Sequence, residues 1–293
     1  MKIPILYEDA DIVAINKPAG LVVHSDGKTV EPFLTDWILK NYPKTKNVGE
    51  PMEVKVQARK GITDEAGNTT GASPQITKTI ERRGIVHRLD RETSGVLLIA
   101  KTAEAHALLK TQFQDHTITK KYHTFVYGEM KEKWGIIKRP IGRSTKDFRK
   151  WSAQRGARGE LREAETWWNL IKTARVSVDG INDNPFSFVE VEPKTGRTHQ
   201  IRVHFKAINH PVICDPLYAG EKPPALGFTR TALHASEVSF TNVAGKRIMV
   251  HSPFPEDFLY AMKEMGVEDV VVKQGLSKAV SRSFGKGSGK LPK

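Results

Sequence analysis

Cysteine is nearly absent: Cys214 is the only one in 293 residues, so an internal disulfide is impossible and nothing in the chain calls for an oxidising compartment. Long hydrophobic runs are missing too. The opening MKIPILYEDADIV is broken by Glu8, Asp9 and Asp11, which argues against a secretory leader, and no stretch reaches membrane-spanning length. These absences predict a cytoplasmic address. Neither a P-loop nor a GxGxxG pattern occurs, so a nucleotide cofactor lacks a cradle. The closest histidine pair, His199 and His204, is poorly spaced for one helical face and no Cys or acid cluster completes it, which argues against a metal. No fixed-period repeat is present, and strands and helices do not alternate regularly, which excludes a doubly wound sheet.

Acidic residues are outnumbered. Lys and Arg total 46 against 33 Asp and Glu, a net charge of +13, and such a field draws polyanions. Nucleic acid is the default partner. With 39% hydrophobic and 27% charged residues the chain is globular and long enough for one large domain or two ordinary ones.

The pattern along the chain predicts α+β architecture around a mixed or antiparallel sheet. Ile12 to Ile15 and Leu21 to Val23 read as two strands about the Lys17-Pro18-Ala19-Gly20 turn. PFLTDWILKNY, residues 32–42, has helical spacing. Residues 43–83 turn polar, a long and partly hairpin-like loop in which MEVKVQA alternates as a strand. Thr102 caps a helix through about Phe113. ITKKYHTFVYG and FSFVEVEP alternate as strands, and a helix runs from about Thr198 to the Asn209-His210-Pro211 stop. The catalytic unit is expected over residues 1–272. Residues 273–293, with six basic side chains and no acid, form an expected disordered tail.

One stretch concentrates the chemistry. RRGIVHRLDRETSGVLLIAK, residues 82–101, places Asp90 between Arg88 and Arg91. Flanking guanidinium groups favour the ionised carboxylate, which suits a nucleophile or base, and they can also grip phosphate. Spacing alone equally allows a structural Asp and Arg pair. Glu92, two residues on, would stand about 7 Å from Asp90 in an extended chain, within the range of paired carboxylates in inverting glycosidases.

HRLDRETSG, residues 87–95, resembles the signature of RluA-type pseudouridine synthases. YEDADIVAINKPAGLVVH, KKYHTFVYG, PIGR, TGRTHQIRVHF and ICDPLYAG are similar to the family's other blocks, so the resemblance spans Tyr7 to about Pro255. It implies the pseudouridine synthase fold, a mixed, mostly antiparallel central sheet flanked by helices and loops. The implied reaction is isomerisation of specific uridines in structured tRNA or ribosomal RNA without a cofactor or metal. Asp90 falls on the catalytic aspartate, Tyr122 on the tyrosine against the target base, and Arg202 on the basic partner of the carboxylate. Leu233, in TALHA, falls on an apolar contact of the uracil pocket, and Arg88, Arg91, His87 and Thr93 fall on substrate-binding positions. Without the resemblance, Tyr122 reads as cross-strand packing, Arg202 as a surface helix charge and Leu233 as core.

The implied chemistry breaks the C1′ to N1 bond, turns the base and rejoins it through C5. Asp90 would attack C1′ or take the C2′ proton. The family often carries a small N-terminal RNA-binding module, whereas here its pattern starts almost at Met1, so target choice is expected to rest on the catalytic domain, the 43–83 insertion and the tail. A monomer without a protein partner is expected. The competing readings are an RNA-binding protein with a vestigial site, and a glycosidic-bond hydrolase using Asp90 with Glu92.

Overall fold

The computed structural model describes residues 1–25, 31–57, 75–154, 157–178 and 181–267. In chain order the elements are β1 (Ile5–Glu8), β2 (Ile12–Lys17), α1 (Leu34–Asn41), β3 (Met52–Gln57), β4 (Gln75–Ile80), β5 (Ser94–Ala100), α2 (Ala103–Gln114) and β6 (Thr119–Tyr127). There follow β7 (Trp134–Lys138), β8 (Ile141–Arg143), β9 (Trp151–Ser152), β10 (Arg158–Arg162), β11 (Glu165–Val178) and β12 (Ile181–Pro193). The chain then forms α3 (Gln200–Ala207), β13 (Leu233–Thr241), β14 (Arg247–His251) and α4 (Glu256–Glu264).

Nine strands make one sheet in the order β1-β2-β5-β13-β6-β12-β11-β7, with β14 also on β13. All pairings are antiparallel except that of β5 with β13. This is the expected α+β class with a mostly antiparallel sheet. Because β6 runs along most of β13, the other edge of β13 is shared: Ser94 and Gly95 of β5 pair with His234 and Ala235, then β14 takes over from Glu237.

The sequences IVAINK and SGVLLIA are apolar at successive positions because both faces of these inner strands are covered. Alternation sends Val13, Ile15, Leu97 and Ile99 to the face packed by Leu34 and Ile38 of α1. It sends Ile12, Ala14, Val96 and Leu98 to the face packed by Ala105 and Leu109 of α2. Thr102 caps α2 as its position predicts, its hydroxyl accepting from Ala105 N–H at 3.2 Å. A third core joins β6 and β12 to α3 and α4 through Phe125, Phe188, Phe205 and Phe258.

Several expectations need correction. Leu21 to Val23 make no strand; Val22 forms only an isolated bridge with Phe33, after a turn stitched by Lys17. The polar 43–83 segment is more ordered than a loop where described: a 3₁₀ turn at Pro43–Asn47 leads to the β3–β4 hairpin, and MEVKVQ is a strand. The final helix of the signature begins at Gln200 rather than Thr198, because His199 is left-handed (φ 56°). The predicted tail, residues 273–293, lies outside the described residues.

Candidate active site

Asp90 is delivered by a tight loop entering β5. Thr93 N–H closes a turn onto the Asp90 carbonyl at 3.1 Å, and neighbouring carbonyls are tied from three directions. Arg91 O accepts from Gly20 N–H at 2.9 Å and from the Lys17 ammonium at 3.0 Å. Glu92 O accepts from Arg230 at 2.9 Å, and Arg230 is itself held by Asp257.

Lys17 is fully buried and donates also to Pro18 O (2.8 Å) and Leu21 O (2.9 Å). Burial pushes its pKa down to about 7, against the pull of Glu92 and Asp90. Three carbonyl acceptors nevertheless need three N–H donors, which only the ammonium carries, so we assign the charged form.

Immediately after the loop, Gly95 adopts φ 115°, and a Cβ there would stand 2.1 Å from the carbonyl oxygen of Ala235. Only glycine lets β5 approach β13 at this point. The greasy run after Asp90 therefore anchors the loop in the centre of the sheet.

Arg202, on α3, reaches Asp90 from the opposite wall. Its Nη1 donates to Asp90 Oδ2 at 2.8 Å, while Nε and Nη2 fork onto Asp215 at 2.6 and 2.9 Å. Asp215 is sealed from water and also accepts Leu217 and Tyr218 N–H. Burial alone would lower the Arg202 pKa; the bonds and charges of Asp215 and Asp90 outweigh it and raise it. Arg202 is thus a buried bridge rather than a surface helix charge.

Burial works to raise the Asp90 pKa, but the charges of His199 and Arg202, the Arg202 hydrogen bond and the charge of Arg88 hold it below the ordinary carboxylate value. His199 is itself pushed down by burial and is uncharged at neutral pH, so Arg202 is the lasting anchor. The Asp90 side chain keeps 22% of its surface exposed, enough to meet a substrate.

The flanking arginines part ways: the charge of Arg88 favours the Asp90 anion as expected, whereas Arg91 is engaged elsewhere. Arg91 pairs with Glu31 (3.0 Å) and Glu92 (3.6 Å), away from Asp90. Because Asp90 to Thr93 is a turn, the extended geometry that would set Glu92 beside Asp90 is not formed. Arg88 is exposed, with Nη1 3.5 Å from His24 Nε2.

Asp90 lies where two cavities meet. The larger, about 590 Å³, is lined by Tyr122, Leu233, His87 and Thr93 together with five cations, Arg88, Lys110, Lys120, Arg197 and Arg202. Asp90 is the sole carboxylate in that lining. A nucleotide fits the usual size range of such clefts. The second, about 460 Å³, shares Arg88, Leu89, Asp90, Thr93, His199 and Arg202 and extends past His24, Glu31 and Arg91.

Tyr122 packs against two core clusters, and burial first, then the Asp90 charge, raises its pKa above the ordinary phenol range. Leu233 is buried at the start of β13. His87 accepts Leu98 N–H through Nε2 at 2.9 Å and stacks on Phe113, so it is a neutral wall; burial pushes its pKa to about 3.

Comparison with known proteins matches residues 11–207 to the model of an RNA pseudouridylate synthase family. The chain belongs to the RNA pseudouridylate synthase family. It is therefore an enzyme that isomerises uridine within RNA, of the RluA type. An uncharacterised RNA pseudouridine synthase of Mycobacterium bovis is 33% identical over 264 residues, 88% of this chain and 71% of that one. The ribosomal large subunit pseudouridine synthase D of Zymomonas mobilis is 30% identical over 272 residues, 90% of this chain and 73% of that one. Human RNA pseudouridylate synthase domain containing 1 superposes with a TM-score of 0.62 at 22% identity, covering 87% of this chain and 84% of that one, a likeness of fold.

The synthase site contains residues that sequence reasoning left unassigned. Lys17 and Asp215 stood inside recognised motifs, KPAG and ICDPLYAG, but buried charges show no sequence signal. Tyr218 stands in ICDPLYAG as well, whereas Arg230 is close to the site only through the fold.

Proposed function

We propose that the larger cavity receives a uridine extruded from RNA and that Asp90 is the group acting at its ribose. The observation that carries this is the setting of the carboxylate: Arg202 holds Asp90 through Oδ2, and Asp90 is the sole acid lining the cavity among five cations. An anion fixed through one oxygen, with its side chain partly exposed, suits attack at C1′ or removal of the C2′ proton. Tyr122 and Leu233 enclose the detached uracil by stacking and apolar contact. A tyrosine whose pKa is raised stays a phenol, which favours packing and hydrogen bonding over acting as a free phenolate. Thr93 and His87 complete the walls, and Arg88, Lys110 and Lys120 meet the flanking phosphates. Arg91 serves RNA in the adjoining cavity.

The basic segment 138–162, with nine basic and two acidic residues, adds a grip beside the cleft. Extrusion of the base costs a few kcal/mol, which such phosphate contacts offset. The RNA is ribosomal, in keeping with relatives named ribosomal large subunit pseudouridine synthase D. The enzyme works as a cytoplasmic monomer without a cofactor.

Unmodified transcripts of large-subunit ribosomal RNA and of tRNA, incubated with the enzyme and digested to nucleosides, test this reading. Pseudouridine is expected in the ribosomal transcript and none in the tRNA; the reverse overturns the substrate. Asp90→Asn keeps the shape and loses the anion, so it binds RNA without turnover. Product formed by that variant would remove Asp90 from the chemistry.

A further inference from the structure

The geometry points to His199 as a positioning residue for the reactive oxygen of Asp90, held by Tyr218 in the tautomer that directs Nε2–H at Oδ1. This rests on Asp90 being the acting group. Arg202 donates to one carboxylate oxygen, Oδ2, and His199 Nε2 stands 3.9 Å from the other, Oδ1, an approach longer than a hydrogen bond. His199 lines both cavities where they meet, so it flanks whatever reaches the carboxylate.

The tautomer follows from a chain of hydrogen bonds. The Tyr218 hydroxyl oxygen accepts Trp151 N–H at 3.0 Å and lies 2.9 Å from His199 Nδ1. Tyr218 is buried, and burial pushes its pKa up to about 12, so the hydroxyl keeps its hydrogen and needs an acceptor. Nδ1 is that acceptor. The imidazole proton is therefore on Nε2, directed toward Asp90.

The backbone is specialised for the same purpose. His199 is left-handed (φ 56°, ψ 21°) at the N-cap of α3, a conformation that strains a non-glycine residue and concentrates at functional sites. Gln200 locks it: its Oε1 accepts from Thr195 Oγ1 (2.7 Å) and Arg197 N–H (2.9 Å), and its Nε2 donates to Glu165 O and Thr166 Oγ1. Removing the imidazole frees Oδ1 to rotate away from the substrate, whichever ribose atom it acts on.

Protonation reverses the arrangement. The charged groups facing the ring are Asp90, Asp215, Arg202 and Arg88, with Tyr218 beyond. A charged imidazole turns Nδ1 into a donor, breaks the Tyr218 donation and places a cation on the reactive oxygen. The rate should then fall with an acidic limb displaced below the ordinary histidine value of 6.5, because burial holds the ring neutral to lower pH.

His199→Asn tests the idea, because asparagine tolerates the left-handed backbone. Its single-turnover rate on the ribosomal transcript should fall roughly 10- to 100-fold with RNA affinity unchanged, and the acidic limb of the rate profile should vanish. Tyr218→Phe, which deletes one oxygen, should lose rate to a smaller degree and mix the tautomers. Imidazole nitrogen resonances of labelled protein should show His199 as the Nε2–H form in the wild type. An Nδ1–H form, or a His199→Asn enzyme with wild-type rate and profile, overturns the inference. Wild-type enzyme that leaves ribosomal RNA unmodified would instead remove the substrate assignment, while the resonances would still decide the tautomer.

Discussion

At the residue scale the site is governed by charges taken out of water in matched sets. Asp215 is the foundation: it takes two Arg202 donors and two backbone N–H groups with its side chain wholly excluded from solvent. Removing one partner of such a pair strands the other, at a cost of about 3 to 5 kcal/mol. Asp215→Ala should accordingly lower the unfolding free energy from urea titration by that margin and slow pseudouridine formation, since of the two carboxylates only Asp90 would still hold Arg202. A variant with wild-type stability would show that Arg202 finds another anchor. The sequence exposes Asp90 because arginines surround it. The motif resemblance points to Arg202, 112 positions away, as its partner, but nothing in the residue pattern shows that Asp215 takes the other side of Arg202 or that Arg91 turns toward Glu31.

At the element scale, β5 and α3 are the two walls that carry Asp90 and Arg202. Both segments were legible from composition and from HRLDRETSG and GRTHQIRVH. The start of α3 was placed early because the left-handed His199 interrupts the helical pattern without a glycine to mark it. The β3–β4 hairpin was partly legible from MEVKVQA. Long strands such as β11 are half-exposed and less regularly patterned, so alternation alone did not reveal them. Gly95 is the tightest point of the scaffold, and Gly95→Ala would force β5 off β13 at the root of the catalytic loop. It should lower the thermal midpoint and reduce turnover more than RNA binding. An unchanged midpoint would mean that the strands separate freely here.

At the scale of the whole molecule, net charge and buried histidines set the response to solution conditions. RNA affinity should fall linearly with salt on logarithmic axes. Lys146→Ala and Arg158→Ala, on the basic 138–162 segment, should each reduce that slope by roughly one. Slopes equal to the wild type would place RNA elsewhere.

Acid stability follows from His123 and His234, neighbours across β6 and β13 whose Nε2 atoms make no hydrogen bond among the described residues, although His123 Nε2 stands 4.0 Å from Glu190. Burial pushes both pKa values down to about 3, while the unfolded chain titrates near 6.5. Between those values the unfolded state binds protons that the native state refuses. Stability is thus intact above 6.5 and declines below it, by up to about 1.4 kcal/mol per pH unit for each histidine. Urea midpoints at pH 7.5 and 5 should differ in that direction, about these set points, and His123→Leu should shrink the difference. Equal midpoints would mean the histidines are charged in the fold.

The amino-acid order by itself determined the α+β class, the inner strands, three of the helices and the family, because apolar periodicity and short motifs are local properties of the chain. Beyond the Asp90 and Arg202 pair that the family motif implies, tertiary structure alone decided which charges meet. The Asp90, Arg202 and Asp215 bridge, the Lys17 stitch and the His199 to Tyr218 bond join segments distant in sequence. Their energy comes from shared burial, and burial exists only once β5, β13 and α3 have packed.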